Sequence, residues 1–122
     1  MFESIILERS KIKEVLYRGS LSWIGEIAFC FESGKSICIG IDSGYDEVIE
    51  RDGFVHGKKY KKLPQNNIVG CMINDYRKVY NSNNYFDGFQ ITLCNEELNE
   101  NYMIKFNVVA SSFWIHKFVR IL

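Results

Sequence analysis

His56 and His116 are the only side chains of this 122-residue chain that titrate near neutrality without help. General acid–base chemistry would have to draw on them, and a nuclease would add a lysine. His56 lies in a basic stretch, and His116 lies on an aromatic-rich segment where a structural imidazole is the expected outcome. Gly34-Lys35-Ser36 matches the end of G-x-x-x-x-G-K-[ST], but the first glycine of that motif would fall on Phe29. The tripeptide also falls in a hairpin turn, whereas a phosphate cradle needs a helix start. No G-x-S-x-G, H-E-x-x-H or dinucleotide-binding glycine fingerprint occurs. Cys30, Cys38, Cys71 and Cys94 are scattered among apolar neighbours, with no C-x-x-C pair and no histidine at ligand spacing. They read as free thiols acting as small hydrophobes. No catalytic residue, metal ligand or cofactor is therefore assigned.

Charge patterning says more than the motifs. Asp42, Asp46, Glu47, Glu50 and Asp52 stand against Arg51 alone, and the next ten residues carry Lys58, Lys59, Lys61 and Lys62 without an acid. Acids at a hairpin end suit a basic protein partner; they also guard an edge strand against aggregation. The run Lys58-Lys59-Tyr60-Lys61-Lys62 offers phosphate contacts with a tyrosine for stacking, although lysines in a polar loop are usually only solvated. The stretch from Asn81 to Gly88 combines turn-forming asparagines with Tyr85, Phe86 and Asp87. Adjacent aromatics there suit either packing over a sheet edge or a protein interface.

The elements that must position these groups show period two. Residues 24–31 and 36–42 form a hairpin through Ser33-Gly34-Lys35. Pairing about Gly34 sets Phe31 opposite Ile37, Phe29 opposite Ile39 and Ile27 opposite Ile41 on one face. Cys30 then faces Cys38, Ala28 faces Gly40, and Glu26 faces Asp42 on the other. A one-residue slip would set Phe29 against Gly40 and Ile27 against Asp42, so the apolar pattern excludes it. The like-charged Glu26/Asp42 pair marks a place for a cation or for a partner's arginine. Residues 42–46 form a turn, 47–50 a short strand and 53–67 a loop. Residues 88–94 and 102–109 form a second hairpin with an acidic loop, and 113–122 a closing strand apolar on both faces, hence central. Residues 11–17 read as a strand with imperfect alternation. Residues 68–80 fit both a helical and a strand period and are read as a strand, because Gly70 and Asn74 weaken a helix.

These elements define a mainly β protein, with α+β as the alternative. About eight strands would make an antiparallel sheet folded as a sandwich or open barrel. At this length one domain, 1–122, is expected, burying roughly two-thirds of its unfolded surface. Nine Phe, seven Tyr and two Trp fill a core without disulfides or metal. Equal numbers of acidic and basic residues, 15 each, argue against the broad basic surface of a non-specific nucleic-acid binder. No apolar run reaches the roughly 20 residues of a membrane span, and the N-terminus lacks a signal-peptide pattern. A cytoplasmic protein is expected.

At Trp23-x-x-Glu26-Ile27-Ala28-Phe29-Cys30-Phe31, Gly34, Gly44-Tyr45-Asp46-Glu47 and Asn84-Tyr85-Phe86-Asp87-Gly88-Phe89-Gln90-Ile91, the sequence resembles a family of small, β-rich, uncharacterised bacterial proteins. It is also similar to single-domain immunity proteins encoded beside contact-dependent or polymorphic toxins, over most of residues 11–110. The resemblance implies a non-enzymatic protein that neutralises a cognate toxin, often a nuclease, by direct occlusion. Immunity proteins against nucleases are frequently acidic mimics of the substrate. This chain is neutral, which moves the weight onto the local acidic run. Asp42, Asp46, Glu47, Glu50, Asp52, Tyr85, Phe86 and Asp87 are the expected partner contacts. The alternative is a small-molecule or nucleic-acid-binding β-barrel that closes its lysine loop over the ligand.

Overall fold

The structure, a computed structural model, describes residues 2–42, 47–53, 59–64, 68–109, 112–115 and 119–121. A short helix, α1 (Phe2–Glu8), precedes strands β1 (Ile12–Ser20), β2 (Trp23–Phe31), β3 (Ser36–Asp42), β4 (Glu47–Asp52), β5 (Lys61–Lys62), β6 (Met72–Tyr80), β7 (Phe86–Asn95), β8 (Glu100–Val109), β9 (Ser112–Ile115) and β10 (Val119–Ile121). The antiparallel sheet runs β4-β3-β2-β9-β8-β7-β6, with β1 also on β2, β5 on β1 and β10 on β8. It curls into a half-barrel, so the mainly β class and the open-barrel form are met. The closing segment is central as expected, but it is split: β9 joins β2 to β8, and β10 pairs separately with β8.

The first hairpin has the expected faces and a different register. Observed partners are Ile27 with Ile39, Phe29 with Ile37, Cys30 with Ser36 and Glu26 with Gly40. The pairing is shifted by two residues, so Cys30 does not face Cys38, nor Glu26 Asp42. The turn is the cause. Phe31 N–H donates to Lys35 O at 2.9 Å and Gly34 N–H to Phe31 O at 3.0 Å, with Gly34 at φ +92°. This is a three-residue loop with glycine in its left-handed third position, which centres the hairpin on Ser33 rather than Gly34. A two-residue shift leaves every side chain on its face, so hydrophobicity cannot detect it.

Four bulges bend the sheet. Lys13 and Gly25 have no partner in the β1–β2 register, and Asn74 and Asp87 none in β6–β7. Each extra residue bends its strand and raises the local twist, which is what curling a flat sheet requires. Bulges also change side-chain parity. Ile12, Val15 and Tyr17 all turn inward because Lys13 is skipped, and Ile73 and Tyr76 both turn inward because Asn74 is. Gly25 sets Ile24 in the core while leaving Trp23 outside.

The concave side holds the core. Phe29 packs edge-on against Phe106, which stacks on Phe89 with centroids 4.4 Å apart, and Phe113 meets Phe89 edge-on. The N-terminal segment, for which the sequence suggested no element, is the helix that covers this core. Phe2 and Ile5, three apart on one face, are buried. Phe2 stacks on Tyr76 at 4.2 Å and meets Phe29 edge-on. Glu8 pairs with Lys35 and Arg9 with Glu96, tying the end of α1 to two hairpin loops. The expected loop 53–67 is interrupted by β5, whose Lys61 and Lys62 pair with Tyr17 and Leu16 of β1. Beyond β5, Cys71 O accepts from Ile12 N–H and Ile12 O from Gly70 N–H, each at 2.8 Å, which brings the start of β6 back to β1.

Two glycines of the β1–β2 pair differ in what they tolerate. Gly19 has φ +107°, and a Cβ there would lie 2.3 Å from Trp23 O, whereas a Cβ on Gly25 would meet nothing within 4 Å. Gly19→Ala is expected to destabilise the fold by about 2–3 kcal/mol in urea denaturation, and Gly25→Ala by less than about 1 kcal/mol.

Candidate partner-binding surface

Alternation along β4 divides its charges. Val48 and Glu50 face the interior, and Glu47, Ile49 and Arg51 face outward. Glu50 is therefore turned in, its carboxylate accepting from the Tyr76 hydroxyl and lying 3.9 Å from Lys78 Nζ. Burial and the Glu50 carboxylate both push the Tyr76 hydroxyl upward, keeping it a proton donor. Lys78 Nζ also sits 5.2 Å from the centre of the Phe86 ring. The acidic strand and the aromatic loop, far apart in sequence, meet through this lysine.

Of the remaining expected contacts, Asp42 and Glu47 face each other across β3–β4, where like charges oppose. Glu47 and Asp52 have no side-chain partner among the described residues. Asp46 lies outside the described residues. The Asn81 side chain accepts from Asn83 N–H and Tyr85 N–H, building the turn that presents Tyr85 as exposed. Phe86 is half-buried against Tyr80, and Asp87 is half-buried at its bulge.

Glu26, proposed from sequence as a place for an external cation, is satisfied from within. It is the one buried charged residue among those described, its side chain 3% exposed. Arg51 binds one carboxylate oxygen and Arg18 Nε lies 3.3 Å from the other. Arg18 is its cross-strand partner on β1, while Arg51 reaches it from β4.

Lys59, Lys61 and Lys62 are exposed, with Lys61 Nζ 3.5 Å from Gly19 O. Tyr60 is half-buried, with its hydroxyl toward the Cys38 thiol. Lys58 and both histidines, His56 and His116, lie outside the described residues. The four cysteines are free. Burial raises the Cys38 thiol and pushes Cys30 and Cys71 up to about 11. Groups of three or more metal-ligating side chains are absent among the described residues.

The sequence reading passed over both tryptophans. Trp23 is 55% and Trp114 57% exposed, with Leu21 at 60% on the adjoining turn. The antiparallel pair Ile24–Phe113 places Trp23 and Trp114 side by side on the outer face, one residue on. Trp114 is also the cross-strand partner of Asn107, next to exposed Val109. Beside Trp114 is a cleft of about 380 Å³ bordered by Leu21, Ile24, Leu63, Pro64 and Phe113. The signal for Trp23 is the parity break at Gly25, which is invisible until the bulge is known.

No protein-family model matches this chain, and no curated protein or solved structure matches it. No helix among the described residues is long and apolar enough to cross a membrane.

Two measurements check the chemistry assigned here. Glu26→Gln leaves two arginines without their buried counter-charge and is expected to destabilise by about 2–4 kcal/mol in chemical denaturation, against about 0.5 kcal/mol for exposed Glu47→Gln. The raised thiols stay protonated in the folded chain at pH values where they ionise in the unfolded one. The contribution of these thiols to folding stability is therefore expected to be level between neutrality and pH ~8.5 and to fall as pH rises from there through about 11. Denaturation midpoints across that range test it, and replacing Cys30 and Cys71 by Ala should flatten the fall.

Proposed function

We propose that this protein is an immunity-type binding protein that neutralises a cognate bacterial toxin by direct protein–protein occlusion, acting in the cytoplasm and without catalysis of its own. The observation that carries the reading is the outward display of two tryptophans side by side on the convex face. Tryptophan is the residue most enriched where binding energy concentrates, and a small protein has little folding reason to leave two of them half in water. Acids of the β3–β4 hairpin would speed encounter with a basic partner. Among the described residues, Tyr76 and Glu50 are engaged with each other, and the raised thiols are poor nucleophiles. The proposed contacts are Asp42, Asp46, Glu47 and Asp52 with Tyr85, Phe86 and Asp87, extended by Trp23 and Trp114. Glu50 serves as an internal tie.

The neighbouring open reading frame supplies the test. A large secreted protein with a variable C-terminal domain is expected next to the gene, and expressing that domain should arrest growth unless this chain is co-expressed. Arrest that persists with the chain present at equal level overturns the proposal. For the purified pair, Asp42→Asn with Glu47→Gln should lower the association rate about tenfold at low salt and weaken its salt dependence.

A further inference from the structure

Four cross-strand partners stand in one row on the convex face: Arg18 of β1, Glu26 of β2, Gly40 of β3 and Ile49 of β4. The glycine in the third place is what lets the row close. Arg51, two residues along β4 from Ile49, has to cross β3 to reach Glu26, and a Cβ on Gly40 would lie only 3.7 Å from its Nη2. Two guanidiniums are thereby gathered on one carboxylate. The Glu26 side chain is 3% exposed against 29% for Arg18 and 43% for Arg51, so the acid lies beneath and the bases above. These residues and Gly25 border a cavity of about 130 Å³. Gly25 and Gly40 leave its floor bare, and Ile49 is its exposed apolar wall.

The sign of this recess is the reverse of what an acid at position 26 suggests. Two guanidiniums against one carboxylate leave one net positive charge. A guanidinium carries five N–H donors, and the contact with Glu26 engages Nε of Arg18 and Nη2 of Arg51, which exhausts neither. The buried carboxylate also holds both planar forks in place before a ligand arrives, which lowers the ordering cost of binding. Asp42 and Glu47, paired across β3–β4, come next along the same face. Two acids there oppose any ligand that brings more than one negative charge.

We infer that this recess binds a single carboxylate group, taken between Arg18 and Arg51 with a short aliphatic chain against Ile49. The inference goes beyond the neutralising role and does not rest on it. A carboxylate matches the edge of a guanidinium with two parallel N–H···O bonds and brings one charge to a site that has one to offset. A phosphate would bring a second charge to face Asp42 and Glu47. The same chemistry comes from a free short-chain acid or from the side chain of an Asp or Glu in another polypeptide, and the choice of probes separates the two.

The probes are butyrate, its neutral isostere butyramide, inorganic phosphate, and glutamate blocked at both backbone ends, each titrated at constant ionic strength. Proton–nitrogen NMR spectra read the Gly25 and Gly40 amides and the Arg18 and Arg51 Nε groups directly. Saturable shifts at these four residues with a carboxylate, none with butyramide and weaker binding of phosphate are expected. Tighter binding of blocked glutamate than of butyrate assigns the site to an acidic side chain, and the reverse order assigns it to a free short-chain acid; both orders support the inference. Arg18→Lys and Arg51→Lys keep the charge opposite Glu26 and lose the planar fork, so each should weaken carboxylate binding about tenfold, read at the two glycines. Unchanged amide positions remote from the recess identify the variants as folded, and the wild-type probe series decides the matter even where a variant is not. No shift at the four residues, an equal response to butyramide, tighter binding of phosphate than of both carboxylates, or undiminished binding by both folded variants overturns the inference.

Discussion

The extra residue at Gly25 is the constraint on which the rest of this surface depends. In an unbroken strand Ile24 would share a face with Glu26, and Trp23 would point into the core with Ile27 and Phe29. Skipping one residue reverses both, so Ile24 joins the core and Trp23 faces out. The chain opposite has to follow that bend. Gly19 does so in the left-handed region, close against the Trp23 carbonyl, where no side chain fits. Beyond the bulge the same edge of β2 turns from β3 to β9, so one local irregularity fixes the orientation of a tryptophan, the end of the acidic hairpin and the branching of the sheet.

Two polar ties then hold the curl from opposite sides of the sheet. On the convex side Glu26 collects Arg18 and Arg51, joining β1, β2 and β4. On the concave side Glu50 receives the Tyr76 hydroxyl and draws Lys78, linking β4 and β6, the two ends of the strand order. Neither tie is a strong source of net stability, since burying a carboxylate removes its water. Both define a unique arrangement, because a carboxylate left without its partners in that environment is far worse than one that has them. The helix completes the concave side: Phe2 lies flat on the Tyr76 ring.

Much of the fold was legible, because period two is a strong signal wherever one face is buried. The faces of 26–31, 36–42, 88–94 and 102–109 follow from the alternation of apolar residues alone. What escaped was everything that depends on a residue count. The turn at Gly34 moved the first hairpin by two places, which preserves faces and so leaves hydrophobicity silent. The bulge at Asn74 spaces Ile73 and Tyr76 by three, imitating a helix, and explains the doubled periodicity of 68–80. Lys13 did the same to the alternation of β1. The helix escaped for a different reason: seven residues with Ile5-Ile6-Leu7 carry too short a period to separate from a strand, and its formation depends on the core that Phe2 and Ile5 cover.

The charges illustrate the limit more sharply, because a run of acids in sequence is not a patch in space. Asp42, Glu47, Glu50 and Asp52 look equivalent along the chain, yet alternation sends Glu50 inward, where it is occupied by Tyr76. Glu26 looked unexplained because its two arginines come from positions eight residues before it and 25 after it, neither of them assigned to its face. On the convex face Glu47 has no side-chain partner among the described residues. A chain with no net charge can therefore still present an unpaired acid. Arg9, Lys11, Arg18, Lys35, Arg51, Arg77 and Lys78 are paired with carboxylates, and Lys59, Lys61 and Lys62 are carried on β5 and its approach, along the far edge of β1. Overall neutrality and local complementarity are compatible here because an antiparallel sheet sorts its charges by parity and by edge, and neither property is expressed in a composition.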